Sequence, residues 1–466
     1  MRPIILIIGF LLYQNIYAQS LDSVPNTLTI KDFWQQVKAV HPSVKQARNY
    51  PRMAAAELLS AKGGFDPKLY GNYEQKYFDK KNYFSIGEYG VKVPTWYGIE
   101  VKGSYNTTRG VFLNPEDKLP TQGQALVGVS LPLLQGLWID ERRANLFKAR
   151  QSAGFYQSEQ AILLNDIAIE ATKLYWKWLF YYQQSLIIKQ ILTVSEQRFA
   201  ATKATFEQGD RMAMDTLEAF IQVQDRQYQY NEAVLDYQNA TTQLNIFLSG
   251  GKNAQPIANV LPASNTAPPL SISTMQKDII FQNLAQTQPA IRLYQYKLAQ
   301  LDIDRRLKQE KFKPKLNFNY NFLGNGFQLS NIFNDNYKWG LTFSTSTLFR
   351  VERGDVQLAK IKIENTQLQL EQKIQDLNNK LQQYINECNQ SVQQIALYQD
   401  MVKNYAQLLA LENARFNLGE SSLFLINSRE LKYIEAQVKM AKLKMEYEVA
   451  KASVAWVTGN LVSNLE

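Results

Sequence analysis

The chain has 466 residues, 45% hydrophobic and 20% charged, with a formal net charge of +9, one His and one Cys. A single Cys rules out an intrachain disulfide, and a lone His without a Cys cluster leaves no recognisable zinc or copper constellation. The basic residues are scattered along helical stretches among Glu and Gln, so the charge reads as solvated helix faces and not as a nucleic-acid footprint.

Met1-Arg2 leads into an apolar run, Pro3 to Leu12, that is too short to span a bilayer, and Ile16-Tyr17-Ala18-Gln19 places a small residue before a cleavage position. Residues 1–18 therefore read as a secretory signal peptide, and the absence of a Cys beside the cut speaks against a lipid anchor. No later window approaches the roughly 18 to 20 uninterrupted apolar residues of a transmembrane helix. If the chain enters a membrane, it does so as strands. His41 stands just before Pro42, where a helix start or turn explains it better than chemistry does.

From there the chain repeats itself. His41-Pro42-Ser43, a polar helical stretch and Pro67-Lys68-Leu69 recur as Gln288-Pro289-Ala290, a similar stretch and Pro314-Lys315-Leu316, at one common offset. Phe206, Gly209 and Asp210 recur as Phe416, Gly419 and Glu420 at a shorter one. The first copy thus carries about 37 extra residues between its strands, in the region of residues 70–130. Each copy reads helix, strand, strand, helix, helix. The expected layout is repeat 1 over 19–250 with strands at about 68–131, a linker over 251–274 wrapping the waist, and repeat 2 over 275–466 with strands at about 315–348.

The helices measure a distance. About Glu141 to Gln208 is interrupted only by Gly154, and Leu174, Trp178 and Tyr181 are among its apolar positions. Between Gly354 and Gly419 there is neither Gly nor Pro, and Ile374, Leu377, Leu381, Tyr384 and Cys388 alternate three and four apart, a coiled-coil seam. Its roughly 64 residues would span about 96 Å. Medium helices, about Asp210 to Ser249 and Glu420 to Thr458, would span about 60 Å, and short ones before the strands, about Ser43 to Lys62 and Ala290 to Lys313, about 30 to 36 Å. Short and medium together match long, so the expected form is a rod of antiparallel coiled coils about 100 Å in length. Pro51 should kink or break the first short helix, where the twin has Leu298.

Leu316 to Phe322 alternates apolar and amide residues without error, and Tyr337 to Ser344 alternates again. Leu69, Gly71 and Tyr73 alternate more weakly with Tyr70, Asn72 and Glu74, as do Val127, Val129 and Leu131 with Gly128 and Ser130. Aromatics on one face and small polar groups on the other suit a barrel wall between lipid and water, with Leu316, Phe318, Tyr320, Phe322, Trp339, Leu341 and Phe343 facing lipid. A half-buried sheet on a soluble core is the alternative. Four strands cannot close a barrel, so the edges would be paired with other copies, and three copies would give twelve strands. Gly98 to Tyr105, inside the extra segment at about 78–122, reads as an additional strand without an assigned place.

A duplicated unit of this order behind a signal peptide resembles the TolC family of outer-membrane efflux proteins over nearly the whole mature chain. The family-like marks are Gln288-Pro289, Pro314-Lys315-Leu316, Leu131-Pro132-Leu133-Leu134-Gln135-Gly136 and Arg415-Phe416-Asn417-Leu418-Gly419-Glu420-Ser421-Ser422. The resemblance implies a mixed α/β membrane protein, a homotrimer with a twelve-stranded β-barrel, four strands per protomer, continued by a long helical periplasmic tunnel. It implies a passive export duct for efflux or type I secretion, in contact with outer-membrane lipid and served by a periplasmic adaptor (membrane fusion protein) and an inner-membrane pump.

It further implies that the turns at Gly209 and Gly419 form the periplasmic gate and dock the adaptor, with Phe206, Asp210, Asp215, Glu218, Phe416 and Glu420 around them. Copy two has Leu425 and Ser428 near the positions of Asp215 and Glu218, so an acidic ring would come mainly from Asp215; a helix-start carboxylate is the other reading of that residue. An elongated periplasmic coiled-coil adaptor or scaffold is the rival function. An enzyme ranks third, since there is no nucleophile elbow, phosphate loop or metal spacing, and no cofactor is expected.

Overall fold

The computed structural model describes residues 26–249, 260–263, 268–326 and 336–466. The expected signal peptide lies outside these residues, as do most of the linker and most of the loop before the last strand.

The first repeat runs β1 (Asn26–Leu28), α1 (Ile30–Val40), α2 (Pro42–Ala47), α3 (Tyr50–Gly63), β2 (Lys68–Phe78), β3 (Lys81–Pro94), β4 (Glu100–Arg109), β5 (Gln124–Pro132), α4 (Glu141–Glu207) and α5 (Ala213–Ser249). After β6 (Val260–Pro262), the second runs α6 (Thr274–Thr287), α7 (Pro289–Glu310), β7 (Lys315–Asn325), β8 (Tyr337–Ser344), α8 (Arg350–Asn417), α9 (Leu423–Val457) and α10 (Leu461–Leu465). Both copies open on a helix that the sequence pattern did not single out, α1 and α6. Each starts with a reciprocal capping box, Thr29 with Asp32 and Ser273 with Gln276, which satisfies amide groups that the first turn leaves free.

α4 has 67 residues and α8 has 68, so each is about 100 Å long. Their shorter partners stack end to end beside them. At one junction the Gln288 side chain accepts from the Ala290 amide at 3.1 Å and donates to the carbonyl of Val457 at 2.5 Å, tying the start of α7 to the end of α9. At the other, His41 Nδ1 accepts from the Ser43 amide at 3.3 Å and the imidazole packs on Phe247 at 4.7 Å, tying α2 to α5. His41 is thus the counterpart of Gln288 as a helix cap. Pro51 lies in the first turn of α3, which is separated from α2, whereas α7 runs through Leu298 unbroken. Gly154 does not interrupt α4; it makes room for the Tyr296 ring of α7, with which a Cβ would collide.

The sheet departs from expectation. It has six strands in the order β2-β3-β4-β5-β7-β8, all antiparallel, not four. Most of the extra segment of repeat 1 is not loop: it folds as β3 and β4, spliced between the two strands of the first copy, so β2 no longer touches β5, and residues 110–123 link β4 to β5 outside the strands. Gly98 to Tyr105 is mostly the first part of β4. The last strand ends at Ser344 and not near residue 348.

The largest apolar core lies at the waist of the helical section. Phe33, Trp34, Tyr175, Trp178 and Leu244 pack there with α10, and the parallel pair β1–β6 lies against it, its Leu28 carbonyl 2.9 Å from Tyr175 Oη. Trp178 donates its indole N–H to Thr241 at 2.9 Å, so the ring is buried with its polar atom satisfied. In the second repeat Leu377, Leu381 and Cys388 are buried along the seam of α8, with Ile374 and Tyr384 half-buried beside them. None of the described helices is long and apolar enough to cross a membrane.

Candidate functional site

α4 and α8 leave the sheet and end about 100 Å away in two turns built alike. Gly209 (φ +82°) and Gly419 (φ +79°) adopt the left-handed conformation that glycine takes without penalty, and a Cβ at either would meet nothing within 4 Å. In the first turn the amides of Gly209 and Asp210 donate to the carbonyls of Phe206 and Thr205; in the second, Gly419 and Glu420 donate to Phe416 and Arg415. This is the Schellman pattern that closes a helix C-terminus. The Arg211 guanidinium lies 4.4 Å from the centre of the Phe416 ring, so the two turns sit side by side.

Asp215 opens α5 and is 3.9 Å from Arg211; Asp210 and Glu420 are exposed beside their glycines, and Glu218 is half-buried one turn on. The acidic residues expected at the gate therefore converge on one end of the protomer. Two further contacts there escaped the sequence reading. Buried Glu430 of α9 takes a forked pair of bonds from Arg198 of α4, 2.9 and 3.2 Å, and Arg198 also donates to Asn427. Buried Glu412 accepts from Ser421 Oγ at 2.5 Å and lies near Arg415 and Arg429, bracing the second turn. No local pattern announces a pair as far apart in the chain as Arg198 and Glu430.

At the opposite end the register sorts the sheet into two faces. Leu316, Phe318, Tyr320 and Phe322 of β7 stand opposite Phe343, Leu341, Trp339 and Tyr337 of β8 and share their face with Val127, Val129 and Leu131 of β5. Trp339, Leu341 and Phe343 are more than half exposed. The other face carries Asn317, Asn319, Asn321, Gly128, Ser130 and Lys338. All seven residues expected to face lipid thus lie on one apolar side.

Where the helices leave the sheet they are clamped to one another by charges. Lys148 of α4 meets Asp304 of α7 at 2.9 Å, and Lys308 of α7 meets Asp355 of α8 at 2.6 Å, which holds the Asp355 carboxyl below its usual range. No group of His, Cys, Asp and Glu suited to a metal occurs among the described residues.

Residues 280–460 match the family described as Outer membrane efflux protein. No curated protein sequence matches the chain. Among solved structures, the CmeC outer membrane channel of Campylobacter jejuni superposes with a TM-score of 0.63 at 14% identity, covering 99% of this chain and 94% of that one. The MtrE outer membrane channel of Neisseria gonorrhoeae gives 0.66 at 12% identity, covering 93% and 89%. The outer membrane protein VceC of Vibrio cholerae gives 0.65 at 12% identity, covering 92% and 96%. The chain thus has the fold of outer-membrane channels over almost its whole length, and its second repeat is similar to the family Outer membrane efflux protein.

Proposed function

We propose that the protein is the passive export duct of a tripartite efflux or type I secretion system, working as a homotrimer. In this reading the sheets of three copies close a barrel in the outer membrane and the helices form a water-filled tunnel through the periplasm. The turns at Gly209 and Gly419 form the periplasmic mouth, where Phe206, Asp210, Asp215, Glu218, Phe416 and Glu420 meet the adaptor and an inner-membrane pump supplies the work. The protein's own contribution is a polar passage and no chemistry.

The observation that carries this reading is a single sheet sorted into apolar and polar faces at one end of helices about 100 Å long. Lipid against one face and water against the other is the environment that such a sheet fits. Exposed Met214, Leu217, Ile221 and Phe424 at the far end give the mouth apolar surface for partners.

The test is membrane fractionation of the protein with Phe318→Asp and Phe322→Asp together. Two carboxylates facing lipid destabilise a barrel wall, so the double variant should be lost from the outer membrane while the parent stays in it. A double variant that fractionates and assembles like the parent would contradict the duct.

A further inference from the structure

We infer that the barrel wall has eighteen strands, six from each of three copies, and is therefore as wide as the helical tunnel beneath it; this rests on the trimeric duct proposed above. Four features of the sheet lead there.

The first is that β3 and β4 are spliced into the wall. Each position from Ser85 to Pro94 pairs with one from Glu100 to Arg109, β3 pairs along β2, and β4 pairs with β5 from Glu100 to Asn106. Removing the hairpin would leave a gap two strands wide.

The second is that the two-faced pattern continues through the hairpin. Leu69, Val91, Gly103, Val127 and Phe322 follow one another across five strands on the apolar face, and Tyr89 and Tyr105 stand on it as a pair. On the polar face Lys102 pairs with Glu88 at 2.6 Å, Tyr70 donates to Glu88 at 2.9 Å, and the Lys92 ammonium lies over the Tyr70 ring at 4.7 Å. A hairpin standing in external water has no use for an apolar face; one in a membrane wall does.

The third is that the hairpin reaches the full height of the sheet. Its turn, between Pro94 and Glu100, seats on the first turns of α4, where Trp96 packs on Phe147 and the Arg150 guanidinium lies 4.8 Å from the Trp96 ring. At its other end β3 connects to β2 through Asp79 and Lys80, both at positive φ, the tight turn that suits two twisted strands.

The fourth is width. Across the protomer the helical section is four helices wide: α5 stacked on α2 and α3, then α4, then α9 stacked on α7, then α8. At 8–10 Å per helix this is an arc of about 36 Å. Six strands about 4.8 Å apart and tilted about 40° cover an arc of about 38 Å, whereas four cover only about 25 Å. The sheet of this chain matches its own helices without a neck.

The outer strands supply the contact. Because the sheet has an even number of antiparallel strands, β2 and β8 run in opposite directions, so β8 of one copy can continue the ladder onto β2 of the next. Their outward-facing backbone groups have no partner within the described chain and must find one in lipid, which a second copy provides. Three copies then close a wall about 36 Å across, against about 24 Å for twelve strands. A wall of that width would be no narrower than the tunnel that it continues.

The test is a high-resolution electron-microscopy map of the detergent-extracted full chain. The expected result is eighteen strands, with a barrel about 1.5 times as wide as a twelve-stranded one. A threefold particle with twelve strands would overturn this inference and leave the duct standing; a particle without threefold symmetry would overturn both. A second measurement uses Val91→Cys and Lys92→Cys, each in a Cys388→Ala background and carrying an environment-sensitive fluorophore, in vesicles with acyl-chain nitroxide quenchers. Quenching at position 91 but not at 92 is expected. Equal quenching at the two would remove β3 from the wall.

Discussion

Arg198→Ala should be among the most damaging single substitutions in the helical section. The Glu430 side chain is 2% exposed and that of Arg198 12%, and the guanidinium meets both carboxylate oxygens. Among the described residues Arg198 is the only cation paired with Glu430, so the substitution leaves an uncompensated charge between α4 and α9. Breaking a buried pair from one side costs about 3–5 kcal/mol, because the stranded ion loses its partner without regaining water. The exposed pair Lys442–Glu446, with side chains 49% and 41% accessible, gives the control: Lys442→Ala should cost less than about 1 kcal/mol. Thermal unfolding of the detergent-solubilised protein, followed by near-UV circular dichroism, reads both. Replacing the pair together, Arg198→Met with Glu430→Leu, should recover most of the loss, since the apolar pair has no charge to desolvate. If Arg198→Ala melts no earlier than Lys442→Ala, or the double variant is worse than the single, the pair does not join the helices as described.

The remaining predictions rest on separate contacts. His41 is pushed below the ordinary imidazole value of 6.5 by burial, against an opposing pull from Glu170, so its neutral cap is fully in place above that pH and its stabilisation is lost as pH falls below it. His41→Gln, which reproduces the cap that Gln288 makes in the second repeat, should flatten the melting-temperature profile between pH 8 and 5; an unchanged acid-side slope would refute the role. Gly154→Leu should destabilise by about 1–3 kcal/mol through collision with Tyr296, and Tyr296→Ala in the same chain should relieve part of it, giving a non-additive double-mutant cycle. At Gly209 and Gly419 a side chain has room, so Val should cost about 1–2 kcal/mol from backbone conformation alone and Asn distinctly less. Equal losses for Val and Asn would mean that contact, not φ, governs these turns.

The parts of this fold that were legible in the sequence are those specified locally and written twice. Uninterrupted helical periodicity gave the lengths of α4 and α8, and the paired landmarks at Pro42 and Pro289 and at Gly209 and Gly419 gave the order of elements. β7 and β8 were plain because aromatics mark every second residue. β3 and β4 were not, since glycines at 87, 90 and 103 stand where a side chain would have marked the period. Their first turn also hides, being made by Asp79 and Lys80 in place of the Asn-Gly or Asp-Gly that announces a hairpin. Counting four strands followed from reading that segment as an insertion, although it is part of the sheet. Of the candidate mouth, the glycine turns could be read from the repeated spacing, whereas a role for their acidic neighbours was only what the family resemblance implies. Arg198 with Glu430 and Arg211 over Phe416 could not, because contacts more than 200 residues apart leave no periodic trace.

The central claim, that this chain builds a duct across the outer membrane and into the periplasm, is tested most directly by low-resolution electron microscopy of the detergent-extracted protein. The account predicts a threefold particle whose detergent-covered barrel continues into a stem about 100 Å long. A monomer soluble without detergent, or a compact particle of any symmetry, would contradict it.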